Sequence, residues 1–130
     1  TMNIIVNEDI DRCQNLRSVN DFAIIVYKVL KDKYIYNDDN KTWAKLIDGT
    51  WKKDNKAELL TLSIKEDVAT AFIQRSEFWK QEGINDKNDI YQKNYSMQKS
   101  NTILSFVNAL QFNEKFLKNL IKETKIFFLR

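Results

Sequence analysis

The chain has 130 residues, 43% hydrophobic and 30% charged, which fits an ordinary folded domain able to bury a core without metal or disulfide. Its net charge of +3 is spread evenly along the sequence, so neither half is a basic arm and charge alone demands no nucleic-acid partner. There is no histidine and a single cysteine, Cys13, which excludes the commonest general base, most zinc sites and any intramolecular disulfide, and makes an intracellular, reducing setting the expectation.

No apolar run is long enough to span a bilayer and no signal peptide is read, so no membrane partner is expected. Ile4-Ile5-Val6 is an apolar patch that reads as a short strand or an arm on the core. Asn7 or Asp9 then offers a cap for a short helix through Leu16. Ser18 is an N-cap for a first clear helix, with Asp21 favouring the helix dipole and Phe22, Ile25, Val26 and Val29 at the spacing of a buried stripe. The β-branched run Ala23-Ile24-Ile25-Val26 also allows a strand.

Residues 32–54 read as a meander. Tyr34, Ile35 and Tyr36 suit a pleated, half-buried surface, and Asn37 to Asn40 is a polar turn. Thr42 to Ile47 is a second strand, with Trp43, Lys45 and Ile47 on one face and Ala44 and Leu46 on the other. Asp48-Gly49 signals a type I′ hairpin, and Thr50 to Lys53 returns. Trp43 and Trp51 are expected near one another around that hairpin.

Ala57 to Gln81 reads as a long helix, broken or entered at Ser63, where Ser63-Ile64-Lys65-Glu66 matches a capping box. Ile64, Val68, Ala71, Phe72, Arg75 and Trp79 line one of its faces. Gly83 is expected to stop it, and a flexible loop is expected over about 83–94. A third helix runs from about Tyr95 to Leu110 on the stripe Ile103, Phe106, Val107 and Leu110. Asn113 caps a fourth, with Phe112 and Leu117 placed as a hydrophobic staple, and Ile126-Phe127-Phe128-Leu129 is a terminal strand or buried tail. The expected fold is one α+β domain over 1–130, mostly helical, with about four helices packed on a small antiparallel meander.

No catalytic set converges. Cys13 has no base beside it and reads as a packing residue. The carboxylates Glu8, Asp9 and Asp11, and Asp38 and Asp39, read as caps and solvated turns rather than a two-metal site. No glycine-rich phosphate loop is present. The expectation is therefore a non-enzyme with no metal and no cofactor. Binding is better signposted. Lys33, Lys41, Lys45, Lys52 and Lys53 interleave with Tyr36, Trp43 and Trp51, the pairing of cations with aromatic faces that holds single-stranded nucleic acid. The competing reading is that the tryptophans anchor the hairpin on the helices. Lys115, Lys118 and Lys122 form a spaced helix face that serves solubility.

The order Asp-Lys-Tyr-Ile-Tyr, Lys-Thr-Trp-Ala-Lys-Leu, Asp-Gly-Thr-Trp-Lys-Lys-Asp and Glu-Leu-Leu-Thr-Leu-Ser-Ile resembles the linker domain preceding the superfamily 3 helicase core of poxvirus-type primase–helicases, a family found also in giant viruses, phages and plasmids. Trp43, Gly49, Trp51, Asp54, Leu60 and Ser63 carry the pattern, and Ala44 stands where the family usually has an aromatic. The segment Asn108 to Leu120, followed by Lys125 to Leu129, is similar to the family's run before the ATPase. The resemblance implies a piece of a longer protein with a primase domain before it and a hexameric ATPase after it. It implies a non-catalytic accessory role: supporting ring assembly as a homo-oligomer, contacting the ATPase domain of the same chain, and touching single-stranded or forked DNA weakly. The alternative is a stand-alone viral or plasmid-encoded protein-interaction module that does not bind DNA.

Overall fold

The computed structural model describes residues 2–86 and 89–130, with side chains from Ile5 onward. The fold is α+β and mostly helical. In chain order it comprises α1 (Met2–Arg12), α2 (Val19–Leu30), β1 (Tyr34–Asn37), β2 (Thr42–Ile47), β3 (Thr50–Asp54), α3 (Glu58–Ser63), α4 (Ala69–Asn85), α5 (Ile90–Phe112) and α6 (Glu114–Thr124). A π-helical segment, Ile64–Val68, joins α3 to α4, and short 3₁₀ turns at Asn55–Ala57 and Lys125–Phe127 follow β3 and α6.

The chain start is helical rather than a strand or arm. Val6, Ile10 and Cys13 recur at helical spacing and are buried, whereas Ile5 faces solvent. The Ile4 side chain lies outside the described residues. In α2 the expected stripe is buried, and Phe22 sits at the centre of an aromatic cluster. Its ring stacks on Phe72 at 5.8 Å and meets Phe106 and Phe116 edge-on at 5.1 and 5.2 Å, tying α2 to α4, α5 and α6.

Small residues set the close packing of α4 on α5. Ser76 Oγ lies 3.0 Å from the Ser100 carbonyl oxygen and 2.9 Å from Ser100 Oγ, so both hydroxyls are satisfied where the helices meet. Gly83 does not stop α4. It lies inside the helix, and a Cβ there would fall 2.8 Å from Met97 Sδ, so the glycine makes room for α5. The loop expected over 83–94 is correspondingly shorter. α4 continues through Asn85, and α5 begins at Ile90, five residues before the expected Tyr95, because the Asp89 carboxylate accepts the amides of Tyr91 and Gln92. Positions 87 and 88 lie outside the described residues.

Asn113 caps α6 as expected, accepting the Phe116 amide at 3.0 Å. The staple does not form its buried contact, because Phe112 is 72% exposed. The Ser63 capping box is also replaced. Ser63 sits mid-rod with helical dihedrals, and its hydroxyl is 2.7 Å from the buried Tyr34 hydroxyl. The capping is done by Asp54, whose carboxylate accepts the amides of Leu59 at 2.7 Å and Leu60 at 2.9 Å.

The sheet is antiparallel in the order β1-β2-β3. Asp48 and Gly49 have φ of +50° and +78°, as a type I′ turn requires. The tail after α6 buries Phe128 and lays Leu129 beside Tyr36 in parallel pairing, with Tyr36 N–H donating to the Phe128 carbonyl at 2.8 Å.

Candidate nucleic-acid interface

The hairpin register decides which of the expected binding residues share a face. A two-residue turn pairs Ile47 with Thr50, Leu46 with Trp51, Lys45 with Lys52, Ala44 with Lys53 and Trp43 with Asp54. Trp51 therefore shares a face with Leu46, while Trp43 lies on the opposite one, and the expected proximity of the two tryptophan side chains around the hairpin is corrected. The inner face carries Tyr34, Tyr36 and Trp43, all buried. Trp43 packs on Tyr36 at 5.1 Å and on Phe128 at 5.4 Å. Tyr36 and Trp43 are 3% and 4% exposed, so neither offers a free ring to a base, and both are removed as stacking platforms.

The outer face is uncovered by helices and has a different character. By register it presents Ile35, Thr42, Ala44, Leu46, Trp51 and Lys53. Trp51 is 37% exposed, and among the described residues its ring stacks on no other aromatic. A shallow depression of about 450 Å³ lies across this face, lined by Ile35, Ala44, Trp51, Lys53 and Arg130 among others. Arg130, which sequence reasoning did not pick out, arrives there through the pairing of the tail with β1, since its amide donates to the Tyr36 carbonyl at 3.3 Å. The only signal in the sequence is the apolar run Ile126 to Leu129, which implied a tail that packs.

The lysines do not form one cluster. Lys53 belongs to the outer face. Lys45 and Lys52 are cross-strand partners with the inner-face parity, and Lys45 Nζ lies 5.7 Å from the Tyr34 ring centroid. Lys41 sits in the β1–β2 turn with φ of +57°, pairing with Asp38 at 2.9 Å. Lys33 precedes β1, where its carbonyl accepts the Leu46 amide at 2.9 Å, and its side chain is exposed.

A second concavity of about 410 Å³ lies between the open end of the hairpin, the turn at residues 55–57 and the end of α6. Lys41, Lys53, Lys56 and Lys125 line it, together with Trp43 and Asp54. Lys56 and Ala57 both have left-handed dihedrals, with φ of +54° and +56°. That conformation is uncommon for residues other than glycine and carried no sequence signal. It turns the chain so that Asp54 reaches the start of α3.

Asp9 and Asp11 have structural partners. Asp9 bonds Arg12 and, at 2.8 Å, Lys28. Asp11 accepts from Arg75 Nε and Nη2 at 2.9 and 2.6 Å and from Trp79 Nε1 at 2.9 Å, and its carbonyl accepts from Lys99. Burial alone would raise the Asp11 pKa, but those donors and the charges of Arg75 and Lys99 outweigh it and hold the carboxyl below the usual range. Burial pushes the Cys13 thiol up to about 12, so it stays protonated at neutral pH. Among the described residues no group of His, Cys, Asp and Glu is arranged to hold a metal ion, and no helix is long and apolar enough to cross a membrane.

No protein-family model matches the chain, and no curated protein matches it.

Proposed function

We propose that this is a non-catalytic accessory domain of a viral or plasmid DNA-replication primase–helicase, and that it lays single-stranded DNA across the outer face of its sheet. One observation carries the reading. Of the residues that bear the resemblance, all but Trp51 have a structural task. Trp43 packs the core, Gly49 makes the turn, Asp54 caps α3, Leu60 is buried and Ser63 meets Tyr34. Trp51 stands exposed on an uncovered sheet with Lys53 across the same depression. An exposed indole beside cations is the arrangement that stacks a base and neutralises its phosphate.

The contact is weak by itself. Few phosphates are met, so an isolated domain binds at about micromolar or weaker and loses affinity only shallowly with salt. In a homo-oligomeric ring joined to the ATPase domain of the same chain, the contact repeats along the strand and avidity makes it effective. Such a domain works inside the cell, in a reducing compartment.

The register gives the test. Replacing Lys53 and Arg130, the cations of the outer-face depression, by glutamate is expected to weaken binding of a labelled single strand at low salt, read by fluorescence anisotropy. Replacing Lys45 and Lys52 in the same way is expected to change it much less. Equal loss from both pairs would point to diffuse charge rather than this face. No binding by the parent domain would leave a protein-interaction module as the remaining reading.

A further inference from the structure

The concavity at the hairpin's open end is separate in character from the outer face. It is bounded on one side by the buried edge of Trp43 and on the others by the turn at 55–57 and the end of α6. The cations around it are unequally committed. Lys41 is paired with Asp38, whereas Lys53, Lys56 and Lys125 form no ion pair among the described residues. Lys125 Nζ lies 4.9 Å from the centroid of the Tyr36 ring, which holds the ammonium at the rim. The one carboxylate lining the concavity, Asp54, already accepts the Leu59 and Leu60 amides. The balance of lining charge is strongly positive in a chain whose net charge is only +3.

A second observation is independent of the lysines. Trp43 Nε1 is fully buried and finds no hydrogen-bond partner among the described residues. The ring of Trp43 also lines the concavity, so a ligand seated there changes the surroundings of this indole N–H and is read at its resonance. The same left-handed pair Lys56-Ala57 that lets Asp54 reach α3 places Lys56 on the rim.

We propose that this concavity is a second binding site, taking a phosphate monoester of nucleotide size. A monoester carries close to two negative charges at neutral pH, matching several uncommitted ammonium groups better than a single diester does. The volume suits a mononucleotide rather than a bare ion, since small-ligand pockets begin at about 300 Å³. The phosphate belongs either to a free nucleotide or to the 5′ end of a strand, and both present the same dianion. The concavity adjoins the outer-face depression, with Thr42, Trp43 and Lys53 lining both, while Lys41, Lys56 and Lys125 belong to it alone and Trp51 lines only the outer face.

The test uses the three indole N–H signals of the whole domain in a ¹⁵N correlation spectrum, assigned through Trp51→Phe and Trp79→Phe variants. Titration with deoxyadenosine 5′-monophosphate or with a 5′-phosphorylated oligonucleotide should shift the Trp43 signal saturably. Deoxyadenosine and a 5′-hydroxyl oligonucleotide should leave it in place. A response to the mononucleotide assigns the site to free nucleotides, and a response to the phosphorylated strand alone assigns it to strand ends. Lys56→Gln together with Lys125→Gln should weaken the response about tenfold without moving the Trp79 signal. A still Trp43 signal with every phosphate, or equal shifts from phosphorylated and hydroxyl strands, would overturn the proposal. Trp51→Phe should leave the response intact, so loss of strand binding at Trp51 and loss of this site are read separately.

Discussion

Trp43 and Trp51 are the same residue type a few positions apart, and the register gives them opposite tasks. Trp43 is enclosed by Tyr36 and Phe128, so its replacement by alanine leaves a large cavity. The expected cost of Trp43→Ala is about 3–5 kcal/mol, measured by urea denaturation. Trp51→Ala removes a half-covered ring from an open sheet face and should cost about 1 kcal/mol or less in the same measurement. Equal costs would mean that Trp51 is also a core residue and would remove it from the proposed interface. At this scale the sequence was legible where spacing decides the outcome. The Asp48-Gly49 turn and the Asn113 cap form because each residue type meets a local backbone need. Parity was equally available, since a two-residue turn already pairs position 46 with 51. The left-handed Lys56-Ala57 pair was not, because neither residue favours that conformation and only the reach of Asp54 to α3 explains it.

Among the elements, the junction of α1 with α4 and α5 depends on one carboxylate. Asp11 receives both nitrogens of a bidentate Arg75 and the Trp79 indole, while its backbone carbonyl receives Lys99. Asp11→Asn is expected to lower stability at pH 7 by about 1–3 kcal/mol. The pH dependence has a definite sign. The folded pKa of Asp11 lies below its ordinary value, so its contribution is present above the unfolded pKa of about 4 and is lost as pH falls through the lower folded value. Thermal melts between pH 7 and pH 2 should therefore show a shallower acid loss for Asp11→Asn than for the parent. Parallel curves would mean that Asp11 is not held in this pair. The stripes of α2, α5 and α6 could be read from apolar period alone. The extent of α4 and α5 could not, because the glycine that looks like a stop is required by Met97 on the neighbouring helix, a contact between residues 14 apart in sequence.

For the whole molecule, the helices cover one face of the sheet and leave the other open. The inner face is consumed by packing, which is why most residues that carry the family resemblance report on folding rather than on binding. On the sheet, the surface left for a partner is the outer face with Trp51 and Lys53, and the cation-lined concavity beside it. The interleaving of lysines and aromatics in the sequence singled out the hairpin segment. It did not separate the two faces, since composition ignores which way each side chain points. The central claim is that Trp51 stacks a base of a single strand. The most direct measurement is anisotropy of a labelled oligothymidylate titrated at low salt with the parent domain and with Trp51→Ala, after circular dichroism confirms that both are folded. The expected result is micromolar or weaker binding by the parent and about a tenfold loss in the variant, the scale of one stacked base. Undiminished binding by Trp51→Ala would contradict the account.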